Sequence, residues 1–407
     1  MNRGFALLAQ RWLIVTLWVI TIVAATLGPA DASGGVPRIL CVFCGSGGAA
    51  DLVLNVALFL PLGYALARAG LPAWSALLVS LLFSTGIEVA QLALPFRSPT
   101  LRDVLANAAG GWLGAVGALN IRSWLRPSTA TNIRFVFATA LPLAIIAAGG
   151  ALLRSARVNV ETLDSQWEPE FARPGNRWNG ELRSVRIGDV SIPNGRVLID
   201  SALRQHLDAG SPLLLDIRAA ASTDGYMPIL NLAIAIDERW LVIAQRDEDL
   251  VLHTRRRSAA LRLRGPSVTF PRLLAVAPGD SLAIRIEGLS TLGPCAESNG
   301  VRVCAEQLPA GRLWSLLVPS SRWDGALLDA LTFVALGVPS GLLLLVAAGW
   351  LRVVGLATVA LGLVILPSAL GFVALASADW LSIGLGMAVG TLTSARLRES
   401  VPGARPH

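Results

Sequence analysis

The chain has 407 residues, 54% hydrophobic and 15% charged, with a net charge of +7 and a mean hydropathy of +0.60. A soluble protein carries about 25% charged residues, so a wholly soluble chain is excluded. Residues 157–318 hold 19 Arg and 19 Asp or Glu, the remainder 15 Arg and 8 acids. The excess cation therefore lies in the apolar part, where it reads as membrane topology rather than nucleic-acid binding.

A spanning helix needs about 20 mostly apolar residues. Eight segments meet that need: 12–29, 52–68, 73–94, 104–121, 133–153, 326–350, 353–376 and 380–395. The second, fourth and eighth are short or Gly-rich. The first has a rival reading. Arg3 and Arg11, an apolar run and then Ala30-Asp31-Ala32 also resemble a cleavable signal peptide.

Cys41 and Cys44 follow, spaced as Cys-x-x-Cys. A small disulfide or a redox pair fits them. A zinc site is not expected, because no His lies near and no second Cys pair has zinc-like spacing.

The next three segments carry the chemistry. Asp51 and Asn55 are four apart and share a helix face; so are Asp103 and Asn107. Ser84, Glu88 and Gln91 line one face of the helix between them, and Arg97 and Arg102 lie in the connecting loop. At about 1.5 Å per residue, alternating spans place all of these near one leaflet. Glu88 reads as the only acid clearly inside an apolar span. It is expected to face the bundle interior, with Arg97 or Arg102 near enough to pair with it or with Asp103. Gly63, Gly110, Gly111, Gly114 and Gly117 are small residues that let helix backbones approach closely.

From 157 to 320 the pattern becomes short strands: Val185–Val190, Leu213–Ile217, Leu230–Ile236, Leu241–Gln245, Asp249–His253, Ala260–Leu263 and Ser281–Glu287. Turn residues separate them, as at Pro193-Asn194-Gly195 and Asn299-Gly300. Such spacing predicts a β-sandwich. Cys295 and Cys304 flank the second turn and are expected to form a disulfide. The last three apolar segments show almost no buried polar groups.

Orientation follows from Arg. In an eight-span chain, Arg3, Arg11, Arg68, Arg122, Arg126, Arg134, Arg352, Arg396, Arg398 and Arg405 share one side, with Glu399 as their only acid. Positive loops stay cytoplasmic. The predicted protein is thus a polytopic α-helical membrane bundle of about eight transmembrane helices plus an extracytoplasmic all-β sandwich, with both termini cytoplasmic. The expected domains are 1–155, 156–320 and 321–407.

The run Asp51-Leu52-Val53-Leu54-Asn55-Val56-Ala57-Leu58-Phe59-Leu60-Pro61-Leu62-Gly63 is followed by Ser84-Thr85-Gly86-Ile87-Glu88-Val89-Ala90-Gln91. Arg97, Asp103, Asn107 and Gly110-Gly111 complete the set. Over roughly residues 10–125 this resembles the VanZ-like membrane family. One departure is that the family often has a second acid near the position of Arg102, where this chain has only Asp103. Trp178-Asn179-Gly180-Glu181-Leu182, the strand run around Leu250–Leu263 and Gly311-Arg312-Leu313-Trp314-Ser315-Leu316-Leu317 are similar to a concanavalin A-like (laminin G-like) sandwich inserted before further helices. The resemblance implies a bacterial inner-membrane protein, and its family is linked to resistance against the glycopeptide teicoplanin. Some relatives carry a phosphotransbutyrylase label, which the residues do not support: no phosphate-binding Gly loop is present.

Two readings stand. In one, Asp51, Asn55, Glu88, Gln91, Arg97, Arg102, Asp103 and Asn107 bind an envelope glycan, lipid-linked sugar or glycopeptide at the outer leaflet. In the other, Glu88 is a general acid or base and Asp51 or Asp103 the second carboxylate. A transporter is disfavoured, since polar groups do not continue to the inner ends. No Ser/His/Asp set is expected among His206, His253 and His407, and no cofactor or nucleic-acid partner is expected.

Overall fold

The computed structural model describes residues 3–28, 47–94, 99–170, 177–221, 225–235, 238–318 and 325–399. Cys41, Cys44 and Arg97 lie outside them. The apolar runs form helices: α1 (Arg3–Leu27), α2 (Gly48–Arg68), α3 (Ala73–Gln91), α4 (Leu101–Trp124) and α5 (Thr129–Leu153). After the β region and a short α6 (Ser201–Ala209) come α7 (Gly325–Leu344), α8 (Gly349–Leu370) and α9 (Ser377–Glu399). Among the described residues, seven helices are long and apolar enough to cross a membrane. The eighth expected segment is helical as α9 but falls short in apolarity. Asp379, the Ser and Thr residues and the closing arginines of α9 lower its hydropathy. Gly386 and Gly390 of α9 seat against Val334 and Val338 of α7, and Gly337 and Gly341 of α7 seat against Ile383 and Met387 of α9. Small residues of this kind let the two helix backbones approach closely.

The chain divides into two compact units, residues 1–142 with 333–359 and 381–407, and residues 143–332 with 360–380. In the first, α4 packs most closely on α2. A Cβ on Gly63 would lie 1.8 Å from the Gly111 carbonyl oxygen, and one on Gly114 would lie 1.9 Å from that of Leu60. Gly117 meets nothing within 4 Å, so its expected packing role is not borne out. α1 is tied to its neighbours by two hydrogen bonds. The Trp18 indole donates to the Leu58 carbonyl at 2.8 Å, and Gln91 Nε2 to that of Thr26 at 3.1 Å.

The second unit holds β1 (Thr162–Trp167), β2 (Glu181–Ile187), β3 (Val190–Ser191), β4 (Gly195–Leu198), β5 (Leu213–Arg218) and β6 (Met227–Ala235). It continues with β7 (Glu238–Arg246), β8 (Asp249–Thr254), β9 (Ser267–Phe270), β10 (Ser281–Glu287), β11 (Cys295–Ser298) and β12 (Val301–Cys304). These make two six-stranded sheets, ordered β4-β1-β6-β7-β8-β9 and β12-β11-β10-β5-β2-β3. All pairings are antiparallel. Strand β10 alternates exposed and buried residues, and its Leu282, Ile284 and Ile286 join Leu230, Ile243 and Leu252 of the other sheet in one core. Such alternation is what a sheet with one covered face requires. Asn299 (φ 50) and Gly300 (φ 77) both take the left-handed conformation of a two-residue hairpin turn. That turn sets Cys295 opposite Cys304, and the expected disulfide forms. One expected strand is wrong. Ala260–Leu263 belongs to a 3-10 segment, Arg257–Leu261, and the turn after it. Four apolar residues in a short run do not by themselves separate strand from helical turn.

His253, on β8, is held neutral. Burial, with help from Arg256 and Arg239, pushes its imidazole down to about 4 from 6.5. The unfolded chain then takes up a proton that the folded chain refuses. Stability is therefore full above about pH 6.5 and falls as pH drops toward 4, by up to about 3 kcal/mol. Thermal melts of the full chain followed by near-UV circular dichroism should show this loss between pH 7.5 and pH 5. His253→Gln should flatten the slope, and an equal slope in both proteins would contradict the assignment.

Candidate functional site

The N-termini of α2 and α4 and the C-terminus of α3 meet at one end of the first unit. Thr100 caps α4: its Oγ1 accepts the Asp103 backbone N–H at 3.2 Å. The Thr100 N–H in turn donates to Glu88 Oε2 at 2.8 Å. This reciprocal arrangement resembles a capping box in which the acid comes from a different helix. It fixes the start of α4 against the last turn of α3.

Asp103 Oδ1 accepts from Asn55 Nδ2 at 2.8 Å and from Arg102 Nε at 3.2 Å. The other arm of Arg102 reaches Asp51 Oδ2 at 3.5 Å. One guanidinium thus bridges carboxylates from the first turns of two helices, where the helix dipoles also favour negative charge. Gly48 makes room for it, since a Cβ there would lie 2.8 Å from Arg102 Nη1. Deeper in, Asn107 Nδ2 donates to Ser84 Oγ at 2.8 Å. Asn107 Oδ1 and Ser80 Oγ are buried without a hydrogen-bond partner among the described residues.

Six of the eight expected site residues therefore come together; Gln91 does not join them, and Arg97 is outside the described residues. Of the two expected partners, Arg102 pairs with Asp103 and not with Glu88, and it adds Asp51, which was not expected. Gln91 is turned away, onto the backbone of α1. Glu88, Arg102 and Asn107 are buried, whereas the side chains of Asp51 and Asp103 keep 36% and 20% exposure. The centre therefore presents two partly exposed carboxylates backed by buried Arg, Glu and amide groups. Such a surface suits hydroxyl or ammonium donors. No group of three His, Cys, Asp or Glu placed to hold a metal occurs among the described residues.

Two features escaped the sequence reading. Asp329 on α7 is a second acid inside an apolar span, and it is buried. It accepts from Arg312 Nε at 3.0 Å, from Arg312 Nη2 at 3.1 Å and from the Trp314 indole at 2.6 Å. An acid within an apolar run was the available signal. The second is a Ser/His/Asp line: His206 Nδ1 lies 2.9 Å from Ser211 Oγ, and its Nε2 pairs with Asp189. It does not make a hydrolase site. Asp189 is 88% exposed, so it polarises the ring weakly. The Ser211 N–H is spent on the His206 carbonyl, closing the end of α6, and Pro212 supplies no N–H for an oxyanion.

Residues 10–122 match the family described as VanZ/LLP1. They form a VanZ-like domain within a multi-pass membrane protein of the envelope. No curated protein and no solved structure matches the chain.

Proposed function

We propose that the VanZ-like domain binds the polar head of an envelope glycan, lipid-linked sugar or glycopeptide at the outer leaflet. One observation carries this reading. Asp51 and Asp103 remain partly exposed while Arg102 pairs with both, Asn55 donates to Asp103, and Glu88 fixes the start of α4 through the Thr100 N–H. Carboxylates fixed in this way accept hydrogen bonds from sugar hydroxyls or amines without reorganising. Pairing with Arg102 offsets part of the cost of placing acids at the end of an apolar span.

The geometry favours binding over catalysis at Glu88. That side chain is buried and already engaged by the Thr100 N–H, so it braces the centre rather than meeting ligand. The accessible acids are the two aspartates. The β domain, read as concanavalin A-like, would hold a glycan or a partner protein; that step rests on fold analogy.

The test is complementation of a deletion strain scored by envelope-stress and teicoplanin sensitivity. Asp103→Asn removes the charge shared by Asn55 and Arg102 and should lose most of the complementation. Glu88→Gln keeps its shape and leaves an amide oxygen to accept the Thr100 N–H, so it should give a partial defect near tenfold, about 1.4 kcal/mol. Complete loss with Glu88→Gln at unchanged protein level would favour the enzyme reading. Full function in Glu88→Gln combined with Asp103→Asn would end both.

A further inference from the structure

The base of the two-sheet domain is bonded to the ends of spanning helices. Immediately after α5, the Arg154 carbonyl accepts the Arg257 N–H at 2.9 Å, and the Ala156 N–H donates to Arg255 at 3.2 Å. Ser155 and Arg256 form the isolated bridge between these pairs. Just past α8, the Val373 N–H donates to the Leu308 carbonyl at 3.1 Å. Arg256 Nη1 reaches the Thr291 carbonyl at 3.0 Å, and the Arg264 N–H the Leu316 carbonyl at 2.9 Å. The segment 255–264 is thus held within one hydrogen bond of the exit of α5, a helix long and apolar enough to cross a membrane.

That segment has the composition of a bilayer contact. Residues 250–279 hold six Arg and no Asp or Glu. Four of the six are committed elsewhere: Arg255 pairs with Glu238, Arg272 with Glu248, Arg264 donates to the Leu317 carbonyl, and Arg256 is buried. Arg257 and Arg262 are exposed, as are Arg154 and Arg157 beside the helix exit. Between the two loop arginines, at the end of the 3-10 segment, Leu261 is 55% exposed. An exposed leucine flanked by cations, beside a spanning helix, meets headgroups and the upper acyl chains before any soluble partner.

We propose that Arg257, Arg262 and Arg154 bind the phosphates of anionic lipid headgroups, with Leu261 entering the headgroup–acyl boundary. The site seats the base of the β domain on the bilayer. It is independent of the acid centre on α2–α4 and of any ligand bound there.

The test uses the full chain carrying a photo-crosslinking residue in place of Leu261, in nanodiscs of phosphatidylcholine mixed equally with phosphatidylglycerol. Mass spectrometry then reads the lipid adduct at 261. The expected result is a lipid adduct enriched roughly tenfold for phosphatidylglycerol at low salt, with the preference falling as salt rises. Arg257→Gln with Arg262→Gln should reduce the preference to near parity. Arg257→Lys with Arg262→Lys, which keeps the charges, should retain most of it and guards against a folding defect. An adduct to protein alone, equal capture of the two lipids by the parent chain, or full preference in the Gln pair would overturn the proposal.

Discussion

Arg102→Met is expected to be the most damaging single substitution in the VanZ-like domain. The guanidinium is 8% exposed and bridges Asp51 and Asp103 from two helices. Removing it leaves two carboxylates facing each other, with Glu88 nearby, in a setting of reduced dielectric. Stripping the partner from a buried pair costs about 3–5 kcal/mol, most of it from the charge left behind. The loss should appear as a lowered thermal midpoint in mild detergent and as failed complementation. The two readouts separate when charge is removed together: Arg102→Met with Asp51→Asn and Asp103→Asn should recover much of the stability and none of the function. A single variant that melts within about 1 kcal/mol of the parent would mean that Arg102 is solvated and that the centre is not braced as described.

The second large effect is expected at Asp329. It accepts from two nitrogens on one edge of Arg312 and from the Trp314 indole, all from a 3-10 segment at Ala310–Leu316. Asp329→Ala leaves Arg312 without its carboxylate and the Trp314 N–H without an acceptor. The cost is again about 3–5 kcal/mol. It should be local. Leu313, Trp314 and Leu316 are buried but do not belong to the core shared by the two sheets. Hydrogen exchange should therefore rise at 310–318 while the strands stay protected. Asp329→Asn keeps an acceptor for the indole and should cost less. Unchanged exchange at 310–318 in Asp329→Ala would show that other contacts hold the segment.

Helices α2, α3 and α4 were legible because their polar residues recur at helical spacing in runs otherwise apolar, so Asp51, Asn55, Glu88, Asp103 and Asn107 stood out. The pairing among them was not legible. Arg102 was assigned to Glu88 or Asp103 from nearness in sequence, yet its second partner is Asp51, brought in by the α2–α4 packing that Gly63 and Gly114 permit. Asp329 passed unnoticed for the same reason. Its hydropathy cost is diluted across α7, and its partners sit on a segment whose role depends on where the chain folds back. Ala260–Leu263 failed differently: a short apolar run carries too few periods to separate strand from 3-10 turn.

Residue order by itself determined which segments are apolar enough to span, where short strands replace long helices, which cysteines close the last hairpin and which polar side chains belong to one helical end. These are sums over neighbours along the chain, set by hydropathy, periodicity and turn chemistry. Tertiary structure decided which carboxylate meets which guanidinium, which aspartates stay open to a ligand, which glycines touch a neighbouring helix and where the arginine-rich loop comes to rest. Ion pairing and close packing act over a few ångströms in space. Residues tens of positions apart reach that range only after the helices and sheets have packed.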